Sequence, residues 1–218
     1  MQWFVSRRDG NFANNCGLKA SLPCKTIQQV IAHASDGDVI NIDGTRTSRD
    51  PNPCENWTEL DLAGLAIRSY NTRAFLSCKT EGLRVLCNSR KRAFGGVSVD
   101  QITFVNTSLH LSDCSLKLND CSFINSSVAA LTSRYATESV RKNVQLDGCT
   151  FQNNSASSVT IYGNSMVNLN ISKTTFAYNK LLSEEDAILY LSDKNLQDRK
   201  STRLNSSHIT RSRMPSSA

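Results

Sequence analysis

The stretch that decides the fold is Gln101-Ile-Thr-Phe-Val-Asn106, which returns as Asp120-Cys-Ser-Phe-Ile-Asn125 and Gly148-Cys-Thr-Phe-Gln-Asn153. It returns again as Lys173-Thr-Thr-Phe-Ala-Tyr-Asn179. The four phenylalanines, Phe104, Phe123, Phe151 and Phe176, are 19, 28 and 25 residues apart. A unit of that length, with an apolar residue and an asparagine at a near-fixed offset, marks a solenoid of stacked coils. The chain around it supports this. Val97 and Val99, Leu109 and Leu111, Leu116 and Leu118, and Val167, Leu169 and Ile171 each alternate with polar residues, as half-buried strands do. Asn-Gly and Asp-Gly hairpin turns are scarce between these runs, so the strands are expected to stack parallel rather than fold back.

In such a stack like lies on like, with rungs ~4.8 Å apart. The four phenylalanines are therefore expected to form an inward ladder, and Cys121, Cys149 and Thr174 a second one. Asn106, Asn125, Asn153 and Asn179 are expected to stack as a buried asparagine ladder at a bend.

Outside this core the signals are shorter. Ile27, Val30, Ile31 and Ala34 fall on one helical stripe, stopped at Asp36-Gly37, and predict a helix over 27–34 that plugs the open end of the stack. Val39–Ile42, Leu65–Ile67, Ala74–Cys78, Leu83–Cys87 and Ile188–Leu191 read as strands. Residues 43–59 read as a polar loop, and 126–143 as a loop bulging from one coil. His33 lies off the helical stripe and reads as a solvated residue.

The last residues, 198–218, have no hydrophobic period. They resemble the conceptual translation of a sequencing-library adapter and are set aside. Of the chain's net charge of +6, this tail carries +4, so residues 1–197 carry about +2. A basic tail binding nucleic acid is the rival reading, but it rests on composition alone. No nucleic-acid partner is expected of the rest. The expected organisation is an N-terminal cap (1–37), a coil domain (38–197) and a disordered tail (198–218).

Eight cysteines without a Cys-x-x-Cys pair, and with only two histidines, His33 and His110, outside the tail, point to disulfides rather than zinc. Cys16 with Cys24 and Cys78 with Cys87 are the expected pairs. Disulfides imply an oxidising compartment, so the protein is expected outside the cell or at its surface. No transmembrane segment and no signal peptide is visible, and the chain reads as a fragment at both ends.

Five sequons precede the tail, at Asn56, Asn106, Asn125, Asn153 and Asn170. Because a stacked, buried asparagine has no room for a glycan, Asn56 and Asn170 are the expected glycosylation sites.

Pro23-Cys-Lys-Thr-Ile-Gln28, followed by Ala34-Ser-Asp-Gly-Asp-Val-Ile40, resembles the opening of right-handed parallel β-helix domains of the pectin-lyase-like superfamily. The Phe-x-Asn and Phe-x-x-Asn phrases are similar to polymorphic outer-membrane-type repeats. The resemblance implies an all-β, single-stranded, right-handed parallel β-helix with an N-terminal capping helix. It does not select an activity, because that fold carries lyases, hydrolases, esterases and adhesins.

The enzymes among them use converging carboxylates, with calcium in the lyases. Asp100, Asp113, Asp120 and Asp147 are isolated in sequence, although Asp120 and Asp147 would share a corner if they stack. No catalytic residue, metal or cofactor is assigned. The expected function is a non-catalytic extracellular module that binds glycans or proteins. The alternative is a polysaccharide-active enzyme.

Overall fold

A computed structural model describes residues 1–45, 47–54, 58–61, 64–78, 82–87, 96–127, 130–135, 142–155, 158–163, 167–180, 189–192 and 197–198. Asn56 and residues 199–218 lie outside the described residues.

The chain opens with β1 (Gln2–Val5) and the five-residue helix α1 (Ile27–Ile31), then winds into coils of three strands each. The first coil is β2 (Val39–Asp43), β3 (Asn52–Cys54) and β4 (Thr58–Asp61). The next is β5 (Ala66–Tyr70), β6 (Ala74–Cys78) and β7 (Leu83–Leu86), followed by β8 (Gly96–Asp100), β9 (Ile102–Val105) and β10 (Leu109–Ser112). Then come β11 (Ser115–Asn119), β12 (Ser122–Ile124) and β13 (Leu131–Tyr135), and after them β14 (Lys142–Asp147), β15 (Thr150–Gln152) and β16 (Val159–Gly163). The last are β17 (Val167–Ser172), β18 (Thr175–Ala177), β19 (Leu189–Ser192) and β20 (Gln197–Asp198).

Every third strand pairs with the one a coil earlier, always parallel. The result is a parallel β-helix with three faces. The first sheet runs β1-β2-β5-β8-β11-β14-β17-β20, the second β3-β6-β9-β12-β15-β18, and the third β4-β7-β10-β13-β16-β19. Parallel strands need a crossover between partners, and here the other two faces of each coil supply it.

Two expected loops contain strands. β3 and the start of β4 lie within 43–59, and β13 lies within 126–143. Each is hard to see in sequence because one of its inward positions is polar. Asn52 and Ser133 occupy inward, fully buried positions where the other coils place Leu76 and Phe104, or Leu111 and Ile161.

The interior is one continuous apolar column. Ile40, Ile42, Ile67, Val99, Leu116, Leu118, Leu146 and the ladder rings Phe104, Phe123 and Phe151 are all buried, and Phe176 packs against them partly buried. Phe104, Phe123, Phe151 and Phe176 stack in register, with ring centroids 4.7, 4.9 and 5.0 Å apart and planes within 10° of parallel. That spacing is the rung spacing, so the backbone itself sets the ring contact. Each pair contributes about 0.5–1.5 kcal/mol beyond area burial.

The helix is shorter than its apolar stripe implied. It stops at Ile31, with Ala32 as C-cap, and Ala34 packs on the core from the following turn. Gln29 holds its start, accepting hydrogen bonds from the Lys25 and Thr26 amides at 3.0 and 3.1 Å. Ile27 and Val30 are buried, and the helix packs on β1 and β3, which begin two of the sheets. His33 is exposed in the turn, its ring 6.2 Å from that of Trp3.

Candidate binding face

The corners decide which side chains face out. After the second sheet the chain turns through Asn106, Asn125, Asn153 and Tyr178, all with left-handed backbone (φ 51°, 60°, 54° and 55°). Asparagine tolerates that region better than most residues, which explains why it recurs there. The first three asparagines are exposed, and so is Tyr178. The expected asparagine ladder is therefore corrected. Asn106, Asn125 and Asn153 are turn residues that point outward.

The buried polar ladder lies one residue later, at Thr107, Ser126, Asn154 and Asn179. Of the four asparagines expected to stack, Asn179 takes part. Thr107 Oγ1 accepts from the Cys78 amide at 2.8 Å, and Ser126 Oγ donates to the Thr107 carbonyl at 2.8 Å. The Ser126 amide donates to Asn154 Oδ1 at 2.9 Å, and Asn154 Nδ2 donates to Asn179 Oδ1 at 3.0 Å. Asn179 Nδ2 donates to the Phe151 carbonyl at 2.9 Å. A small polar residue three positions after each phenylalanine was the available signal.

The cysteines follow the same vertical logic. Cys16 bonds Cys24, but Cys78 bonds Cys54, and Cys87 bonds Cys114. The expected Cys78–Cys87 pair is corrected. Cys78 ends a strand of the second sheet and Cys87 follows one of the third, so they lie on different faces of one coil. Cys54 is the register partner of Cys78, with Cα atoms 4.4 Å apart; Cys87 and Cys114 are 5.1 Å apart. Rung spacing falls within the reach of a disulfide. The clue was the sequence separation, 24 and 27 residues, which is one repeat.

Cys121 and Cys149 are buried, free thiols in the expected second ladder. Each donates to the carbonyl two residues back, Asn119 at 3.3 Å and Asp147 at 3.5 Å. Each also reaches a carbonyl one coil below, Val99 at 3.4 Å and Leu118 at 3.7 Å. Thr174 Oγ1 makes the same pair of bonds, to Ser172 and Leu146, at 3.0 and 3.4 Å. Burial, then the neighbouring thiol, push Cys121 up to about 12; burial pushes Cys149 up to about 11. These are packed hydrogen-bond donors rather than nucleophiles.

The acidic residues do not converge. Asp147 is the register partner of Asn119, whose partner below is Asp100. Asp100 and Asp147 are thus two rungs, ~10 Å, apart. Asp120 sits one position on, in the turn column with Gln101, Gly148 and Lys173. Asp120 and Asp147 thus lie in different columns and do not stack, and Asp120 is a turn residue. The Asp147 carboxylate instead accepts from Ser172 Oγ at 2.7 Å. Asp113 lies in a different turn, where its carbonyl accepts from Lys142 Nζ at 2.7 Å. Among the described residues, no three His, Cys, Asp or Glu side chains gather as a metal would require.

What the stack does build is a ruled polar face on the first sheet. Because side chains alternate, three outward columns run along the axis. One is Arg68, Asp100, Asn119, Asp147 and Ser172. The second is Ser98, Lys117, Gln145 and Asn170, and the third Gly96, Ser115, Asn143 and Asn168. The third column is tied to itself. Ser115 Oγ accepts from the Asn143 amide at 3.1 Å, and Asn168 Nδ2 donates to Asn143 Oδ1 at 3.3 Å. Gly96 and Ser98 lack bulk beside Ser115, Lys117, Asn143 and Gln145, which leaves an open depression of about 290 Å³.

Asn170, an expected glycan acceptor, is exposed on this face in mid-strand. No family model, curated protein or solved structure matches the chain. The fold and this face must therefore carry the functional argument. No helix among the described residues is long and apolar enough to cross a membrane.

Proposed function

We propose that the protein is a non-catalytic extracellular module whose polar first-sheet face binds an extended partner, a glycan or a protein segment. The observation that carries this is the register of that face, where each rung from β8 to β17 presents amide, hydroxyl or charged side chains. A polymer with its own repeat meets hydrogen-bonding side chains at ~4.8 Å intervals. Many weak contacts then add up, as in multivalent binding. Three disulfides favour an oxidising compartment. The resemblance to the pectin-lyase-like superfamily fits the same reading and includes adhesins. Glycosylation belongs with it.

The experiment is a binding screen of the protein against a glycan array and extracellular-matrix proteins, alongside Lys117→Glu and Gln145→Ala. Binding that these variants weaken tenfold or more supports the reading. Turnover of pectin, alginate or similar polymers, with or without calcium, that is lost in Asp120→Ala or Asp147→Ala would overturn it in favour of a polysaccharide-active enzyme.

A further inference from the structure

We infer that the corner after the second sheet carries a row of N-linked glycans, on Asn106, Asn125 and Asn153; this rests on the extracellular reading above. Three observations coincide there. Each residue heads a sequon: Asn106-Thr-Ser108, Asn125-Ser-Ser127 and Asn153-Asn-Ser155. Each is exposed, on consecutive coils, with φ between 51° and 60°. And each holds its place through its backbone. The Asn106 amide donates to the Ile124 carbonyl at 2.9 Å, that of Asn125 to Gln152 at 3.1 Å, and that of Asn153 to Ala177 at 3.1 Å. These three inter-coil bonds are made by the main chain, so a sugar on the side-chain amide leaves them intact.

The buried polar ladder at the next position keeps its own contacts. Ser126 donates to Thr107, and Asn154 to Asn179, whatever the preceding side chain carries. The acceptors are one rung, ~4.8 Å, apart. A transferred oligosaccharide forms an N-glycosidic bond to the amide nitrogen, with loss of that nitrogen's proton and of the lipid-diphosphate leaving group from the donor. The resulting row runs parallel to the helix axis. It screens the edge between the second and third sheets and leaves the first sheet's polar columns open to a partner.

The test uses the full chain behind a secretory leader in mammalian cells. The secreted protein is released from its glycans by peptide N-glycosidase in heavy-oxygen water and mapped by mass spectrometry. Heavy aspartate at all three positions is the expected result, with Asn106→Gln/Asn125→Gln/Asn153→Gln removing most of the glycan mass while secretion persists. Non-reducing peptide maps of the same sample separate the two readings. If Cys54–Cys78 and Cys87–Cys114 are linked but fewer than two of the three asparagines are occupied, the glycan row is wrong and the extracellular reading stands. If the cysteines are reduced as well, both fall.

Discussion

The two halves of this β-helix are held in different ways. From Phe104 to Phe176 the coils repeat, and like side chains stack: rings at 4.7–5.0 Å, thiol on thiol on hydroxyl, and a run of small polar residues beside them. Below that the sequence hardly repeats; Cys16–Cys24 and Cys54–Cys78 lie there, and Cys87–Cys114 ties it to the coil that carries Phe104. The lower half also buries single polar groups. Asp43 accepts from Ser6 Oγ at 2.8 Å and Thr45 Oγ1 at 2.7 Å, and Asn52 Nδ2 donates to the Asp43 carbonyl at 2.9 Å. Asp38 accepts from the Trp3 indole at 2.8 Å, the Ser35 amide at 2.9 Å and the Met1 amine. Burial would raise the Asp38 pKa, but these hydrogen bonds together lower it. Beyond Cys114, regular stacking supplies cohesion without cross-links. Where the repeat is lost, covalent bonds between rungs and local polar networks take its place.

The comparison breaks most visibly at the ring ladder. Phe123→Ala removes the ring that touches both Phe104 and Phe151 and leaves a buried void, at a cost of about 3–5 kcal/mol in urea unfolding. Phe176→Ala costs less, because that ring is only partly buried and is stacked here on Phe151 alone. Equal losses at the two positions would contradict a ladder.

Next in size is the staple. Cys54→Ala/Cys78→Ala opens a loop one repeat long and loses about 2–4 kcal/mol. The loss belongs to the lower half, so hydrogen exchange at β2, β3 and β6 accelerates while β12 and β15 stay protected. Uniform acceleration would mean that the halves are one cooperative unit.

Of comparable size is Gly82→Ala. At φ +134° an added Cβ would lie 2.1 Å from the Ser108 carbonyl oxygen of the coil above. The backbone conformation alone costs a residue with a Cβ about 1–3 kcal/mol, and moving the main chain to relieve that contact adds to it, read as a lower melting temperature.

The smallest effect is at the thiols. Cys149→Thr reproduces what Thr174 does one rung on, so unfolding shifts by less than about 1 kcal/mol, whereas Cys149→Ala loses the donor and shifts further. The thiols also give an alkaline signature. Their folded pKa values, about 12 and about 11, are raised above the ordinary value of 9.0, chiefly by burial. Native thiols hold their protons where unfolded ones lose them. Their contribution is complete below pH 9 and fades as pH rises toward 11–12. Urea midpoints that fall between pH 8 and pH 10, and fall less in a Cys121→Thr/Cys149→Thr variant, check this.

Much of this was legible in the residues. Phe104, Phe123, Phe151 and Phe176 named the repeat and the inward face, because an apolar residue at a fixed step has one place to go. The corners were less legible. Asn106, Asn125 and Asn153 recur for a backbone reason, left-handed φ, that looks in sequence just like a reason of burial. Offset alone does not distinguish the two, and the ladder proved to be one residue away. Cys87 is the nearest cysteine to Cys78 in sequence, but in a solenoid the nearest neighbour in space is one repeat away, at Cys54. The polar first-sheet face was not legible at all. Lys117, Gln145 and Asn170 look unrelated until register places them in one column.

Register is therefore what most needs testing, and paired cysteines read it directly. Lys117 and Gln145 are partners across β11 and β14, ~4.8 Å apart, within reach of a disulfide. Asn143 lies two residues from that partner, on the diagonal at about 7–8 Å. Mild oxidation of Lys117→Cys/Gln145→Cys is expected to close a bond that mass spectrometry maps to those positions, while Lys117→Cys/Asn143→Cys stays open. Closure of the second pair in preference to the first would contradict the stacking on which the ladders, the staples and the polar face all depend.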